Sequence, residues 1–149
     1  MRRALGDVDE ETLIWQPYPN GHSIGAILIH VAACEAGWLH QVAAGQETPM
    51  DLEERLMGGP SIDQYEGIWP APPRRPLSWY YTQHDEIRVR TVALVRELPD
   101  PDEVRTVVWS PNRTCTVRWI LHHVIEHEAY HLGQAVLLSL MRERMGGRG

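Results

Sequence analysis

The chain reads as an all-α helical bundle, and three observations carry that reading. Three long stretches place apolar residues three and four apart, the period of a helix buried on one side. Their ends carry helix start and stop signals. Strand-like alternation is confined to one short segment ahead of the last helix. At 149 residues with 43% hydrophobic content, residues 1–149 form a single domain large enough to bury a core.

The N-terminal part, Met1 to Tyr18, offers only Leu5, Val8, Leu13, Ile14 and Trp15 as apolar anchors. It predicts a short helix, too small for a full bundle element. The first long helix runs from about Ser23 to Ala44, with Ser23 as N-cap and Gly45 as stop. Ile24, Ile27, Leu28, Val31, Trp38 and Leu39 form its apolar side. The second runs from about Leu77 to Leu98 and ends at Pro99, with Ile87, Val92, Leu94 and Val95 on its apolar side. The third and longest runs from about Thr116 to Met145, stopped by Gly146 and Gly147.

The connections differ in kind. Between the first two helices lies a long crossover containing Gly58-Gly59-Pro60 and Pro70-Ala71-Pro72-Pro73, which forbid a continuous helix. Asp51 to Met57 is expected to form a helical turn within it. A connection this long lets the helices it joins run parallel. Between the last two helices, Arg105 to Trp109 and Arg113 to Val117 flank Ser110-Pro111-Asn112, which predicts a short β-hairpin turning at those three residues. Three long helices do not close a bundle core well, so a second subunit is expected to supply the fourth element.

Composition narrows the function. Net charge is −6, against the basic face of a nucleic-acid binder. Lysine is absent, which removes Schiff-base chemistry and a P-loop. Cys34 and Cys115 read as free thiols rather than a disulfide framework. The N-terminus lacks the apolar core of a signal peptide, and no apolar run approaches bilayer length. A cytoplasmic protein without membrane contact is expected.

The most informative stretch is His127-Glu128-Ala129-Tyr130-His131. Histidines four apart on a helix aim both imidazoles at one point, as a divalent metal requires. Eight histidines give about 0.4 such pairs by chance, so one pair is weak evidence. Two overlapping pairs, His123/His127 and His127/His131, on a stripe shared with Ile120, Val124 and Leu138, are stronger. A stripe of that kind points inward, and buried histidines must be paired or bound.

The run matches the H-E-x-x-H pattern of zinc proteases, but the rest of such a site is missing. Leu137 occupies the position of the third metzincin histidine, and Glu143 is too far along the same rigid helix. The third ligand must come from upstream, and His30, in the apolar stretch Ile27 to Ala33, is the best candidate. Glu128 lies about 100° from His127 around the helix, off the stripe. It reads as a neighbour rather than a general base.

Here the sequence resembles the DinB-like family of metal-dependent enzymes. The matching parts are Asn20-Gly21-His22-Ser23-Ile24-Gly25 leading into Leu28-Ile29-His30-Val31, and the ending Trp119 to Gln134. The resemblance implies a four-helix bundle with a long crossover and a divalent metal on His30, His127 and His131. The family's usual first helix precedes the segment that Asp9 to Pro19 resembles, which implies an abbreviated N-terminal helix or a homodimer. His22 stands where the family often has Asn, and His22 and His123 are expected to support the ligands.

Three neutral imidazoles suit Zn or Ni better than Mg or Ca. Gln134, Tyr130 and Glu128 are the candidate catalytic groups. Gln134 is placed to bond a ligand or substrate, and Tyr130 to donate a proton at the rim or to pack between helices. Glu35 is placed to orient a ligand or to form a salt bridge, and Cys34 reads as a small core thiol. The resemblance implies a transferase acting on a small electrophile with a low-molecular-weight thiol. A metal-dependent hydrolase and a non-catalytic metal- or ligand-binding bundle remain the alternatives.

Overall fold

A computed structural model describes residues 2–47, 67–98 and 100–146. The element order is α1 (Arg2–Leu5), α2 (Glu10–Ile14), α3 (Ile24–Glu35) continued by a π-helical segment (Ala36–Ala43), α4 (Leu77–Val95), β1 (Val104–Val107), β2 (Ser110–Thr116) and α5 (Val117–Gly146). The fold is an all-α DinB-like bundle with a small antiparallel hairpin before the last helix.

Helix α3 is the centre of the molecule, and its limits follow from its ends. The Ser23 hydroxyl accepts from the Ala26 N–H at 3.3 Å, which satisfies one of the donors that a helix start leaves free. Beyond the π-helical segment the chain turns at Gly45, whose φ of +64° costs a residue without Cβ little. Over Ala36–Ala43 the hydrogen bonds reach one residue further back, as in Ala44 N–H to Leu39 O. Periodicity at three and four residues does not foresee that widening. It leaves Trp38, Leu39, Val42 and Ala43 all buried.

Helices α4 and α5 each pack on α3. Along α4, Tyr80 lies against Gly25, His84 donates to Leu28 O at 2.9 Å, Arg88 pairs with Glu35, and Thr91 meets His40. Both numbers rise together, so α3 and α4 run parallel, as the long crossover permits. Its last part lies against the start of α3, where the Trp69 N–H donates to Asn20 O at 2.9 Å. The turn expected at Asp51 to Met57 lies outside the described residues. Gly25 is required here: a Cβ would come within 2.7 Å of the Tyr80 hydroxyl.

Helix α5 runs the other way. Ile120 and Val124 join Trp38, Leu39, Val42 and Val107 in one apolar cluster. Ala135 and Leu138 join Ile24, Ile27, Leu28 and Tyr80 in another. His127 and His131 fall between these clusters. The two short helices α1 and α2 bring Leu5 and Leu13 into the second cluster.

Three expectations change. Val92 and Val95 are exposed, and α4 instead buries Tyr80, Gln83, Ile87, Thr91 and Leu94. The polar side of α4 faces α3 and its π-helical continuation, where Arg88 pairs with Glu35 and Thr91 meets His40. The hairpin turns at Val108 and Trp109, and the register shifts after Thr106, which opposes Thr114, so that Val107 opposes Ser110. Pro111, Asn112 and Arg113 are the residues in excess on β2. With only two strands both edges are free, so proline there costs no ladder bond. Finally, Ile24–Ala43 is long and apolar enough to cross a membrane, at mean hydropathy 1.2. Of that window, 72% is buried inside the bundle, and it carries His30, Glu35 and His40, so its apolar character is that of a core helix.

Candidate metal centre

His30 from α3 and His127 and His131 from α5 converge, with one ligand atom of each lying within 4.8 Å of the others. His30 Nε2 and His127 Nε2 are 3.0 Å apart, a hydrogen bond in which one N–H donates to the other ring's lone pair. Ring centroids are separated by 4.8 Å for His30–His127, 4.9 Å for His30–His131 and 4.4 Å for His127–His131. His131 Nδ1–H donates to Gln134 Oε1 at 2.6 Å. That bond leaves the His131 Nε2 lone pair free, the arrangement by which outer groups orient a metal-binding imidazole.

Burial keeps these rings neutral. It pushes His30 down from 6.5 to about 3, and the neighbouring His127, His131 and His22 add to the shift. His127 falls to about 4, again through burial first, then His131 and His123. Burial also lowers His131, opposed by its bond to Gln134. A ligating imidazole must be unprotonated, so the environment already selects the ligand form. Nitrogens about 2.0–2.1 Å from one tetrahedral ion lie about 3.3 Å apart, and the observed spacing brackets that value. The donor set therefore fits a divalent ion of the borderline-soft kind.

Around the three rings, Trp69 from the crossover presents an edge to His30 at 5.3 Å and to His131 at 5.9 Å. His22 packs on Trp69 at 4.1 Å, so it reaches the site through that indole. His123 lies 5.7 Å from His127 and stacks on Trp119 at 4.7 Å with an interplanar angle of 11°. Neither joins the cluster of three. Tyr130 is 65% exposed, its ring centroid 5.0 Å from that of His131, at the rim rather than between helices.

Glu128 is engaged elsewhere. Its Oε2 accepts from Arg88 Nη2 at 2.8 Å, and the same nitrogen donates to Glu35 Oε2 at 2.9 Å. Glu35 therefore takes the salt-bridge role. Cys34 is packed in the apolar cluster, and burial, then Glu35, push its thiol up to about 12, which makes it inert. Trp69 and Arg88 were not anticipated. Trp69 contacts partners at large sequence separation, and no local pattern signals that.

The model of the mycothiol S-transferase family matches residues 1–147. The chain belongs to this family. It is DinB-like, in agreement with the resemblance read from the His30 and His127–His131 segments. No curated protein matches the chain. Within the mycothiol S-transferase fold seen here, three histidines on two helices are placed so that they could hold a metal ion.

Proposed function

We propose that the chain is a metal-dependent transferase that joins a low-molecular-weight thiol, of the kind its family is named for, to a small electrophile. The observation that carries this reading is the convergence of three neutral imidazoles, one of them oriented by Gln134, in a member of that family. His30, His127 and His131 are the ligands in this reading, and Zn or Ni is the ion. When bound, the ion supplies the positive charge that favours loss of the thiol proton.

The rest is the work of the chain. Gln134 holds His131 in one tautomer. Trp69 covers His30 and His131 on one side and limits the access of water, while the rim near Tyr130 stays open. In the reaction a sulfur–carbon bond forms, the carbon–leaving-group bond breaks, and the thiol proton passes to solvent.

Protein purified without a metal-affinity tag should contain close to one divalent ion per chain. His30→Ala, His127→Ala and His131→Ala should each lower that content and abolish adduct formation, read by mass spectrometry. Unchanged metal content in all three variants would falsify the ligand set. Turnover of the electrophile without thiol would select a hydrolase instead. Metal binding with no turnover across a broad panel would select a binding bundle.

A further inference from the structure

Helix α5 is apolar on two sides. Its inner side buries Ile120, Val124, Ala135 and Leu138 along the stripe that carries His127 and His131. On the outer side, Ala129, Gly133 and Leu140 fall about 160–180° around the helix from His131, and Ile125 and Leu137 flank them. Ile125 is 69%, Leu137 57% and Leu140 50% exposed, and Ala129 and Gly133 are exposed as well. From Ala129 to Met141 the sequence holds no Asp, Glu, Lys or Arg. A helix face left in water carries charged residues, whereas a helix apolar all round is one that is covered all round. The bundle covers only the inner side of this one.

Gly133 lies at the centre of the outer face. Glycine is a poor helix former, and a Cβ at this position would meet nothing within 4 Å. The packing of the described residues therefore does not require it. What a missing side chain permits is the close approach of a second backbone. With the exposed Tyr130 and Met141 at its margin, the apolar face amounts to roughly 600 Å², the upper end of what a monomer leaves in one patch. Glu126 and Arg144 at its ends bring it toward the about 800 Å² that each partner gives to a standard interface.

We propose that this face pairs with the same face of a second copy, the two α5 helices crossing antiparallel at Gly133. The face is self-complementary about that residue, as a two-fold contact demands. Positions equally far from Gly133 in opposite directions share a level across the crossing. The bulky Leu137 of one copy thus stands beside the small Ala129 of the other, on both sides of the axis. Leu140 lies over the stem of the other copy's Glu126, and Arg144, one turn further on, comes alongside that carboxylate. Each end of the contact so joins opposite charges, which fixes its register. His127 and His131 project from the inner side, so pairing leaves the three imidazoles untouched. The proposal holds whatever ion or thiol the site takes.

Sedimentation equilibrium of the full chain tests it. The parent should sediment at twice its 17.0 kDa. Leu137→Glu and Leu140→Glu replace exposed side chains, so both should keep the helical circular dichroism of the parent and sediment as single chains. Register is read by disulfide trapping. In the double variant Ala129→Cys/Leu137→Cys the two thiols of one chain lie about 12 Å apart along the helix, beyond disulfide reach. Across the proposed crossing they are adjacent, so mild oxidation should give a covalent dimer on a non-reducing gel. Either single replacement, and the parent with its native Cys34 and Cys115, should give little. A parent that sediments as a single chain overturns the proposal. A dimer that survives both glutamate replacements, or a double variant that links no better than the single ones, places any contact on another surface and overturns it too.

Discussion

Arg88 ties the two helices that carry the candidate ligands, and removing it has a cost the structure defines. One nitrogen serves Glu35, on α3, and Glu128, next to His127 on α5. The Glu35 side chain is only 3% exposed, and its Oε1 has no hydrogen-bond partner among the described residues. Its charge therefore depends on Arg88. Arg88→Met keeps an apolar stem of similar reach and removes the guanidinium. Stripping one partner from a buried pair costs about 3–5 kcal/mol. Arg88 is itself 49% exposed, so water can enter the gap, and about 3 kcal/mol is the expected loss. Glu128 is 28% exposed and turns to solvent at little cost. At about 2–4 °C per kcal/mol for a chain of this size, the melting temperature should fall by about 6–12 °C. Thermal unfolding followed by circular dichroism measures it. Adding Glu35→Gln to Arg88→Met should recover more than half of the loss, because the orphaned charge is gone. A loss under about 1 kcal/mol, or no recovery in the double variant, would show that Glu35 does not rely on Arg88.

Two further outcomes follow from the imidazole environment. Gln134→Leu removes the acceptor for His131 Nδ1–H and should weaken metal binding about 10–100-fold, measured by competition with a chromophoric chelator, while Gln134→Glu should retain affinity; equal affinity in the Leu variant would deny Gln134 an orienting role. The second concerns acid. His30 and His127 fall from 6.5 to about 3 and about 4 in the folded chain, so between those values and 6.5 the unfolded chain binds more protons. Metal-free protein should hold its full stability above pH 6.5 and lose it progressively toward pH 4. Urea unfolding of chelator-treated protein at several pH values should show that slope, and a shallower one in His30→Gln/His127→Gln; identical slopes would mean that other groups set it.

What the sequence disclosed follows the range of the forces involved. The Ser23 cap and the Gly45 stop are local chemistry, and both stand where the residue types put them. The stripe Ile120, Val124, His127, His131 and Leu138 is local periodicity, and it faces inward as read. Contacts that depend on tertiary partners were hidden. Val92 and Val95 look like core, yet lose the buried side of α4 to Gln83 and Thr91 because α3 presents polar groups there. Ser110-Pro111-Asn112 has turn chemistry, and the strand absorbs it as excess residues while Val108 and Trp109 turn. Trp69 gives no local signal, because its role depends on where the crossover returns.

The same distinction decides what the His127–His131 run is. Read alone, its glutamate is a catalytic base and its histidines are a complete half-site. In the folded chain Glu128 is held by Arg88. The third imidazole arrives from 97 residues away, on a helix that Arg88 also grips through Glu35. The spacing of four then acquires a wider meaning. It extends backward to His123 and Trp119, so one helix face carries both the imidazoles that fit an ion and the rings that lead from them to the surface. A protease motif needs its carboxylate at the ion. This helix instead spends its carboxylate on Arg88, which also holds Glu35 on α3, and so ties together the two helices that bring the three imidazoles to one point.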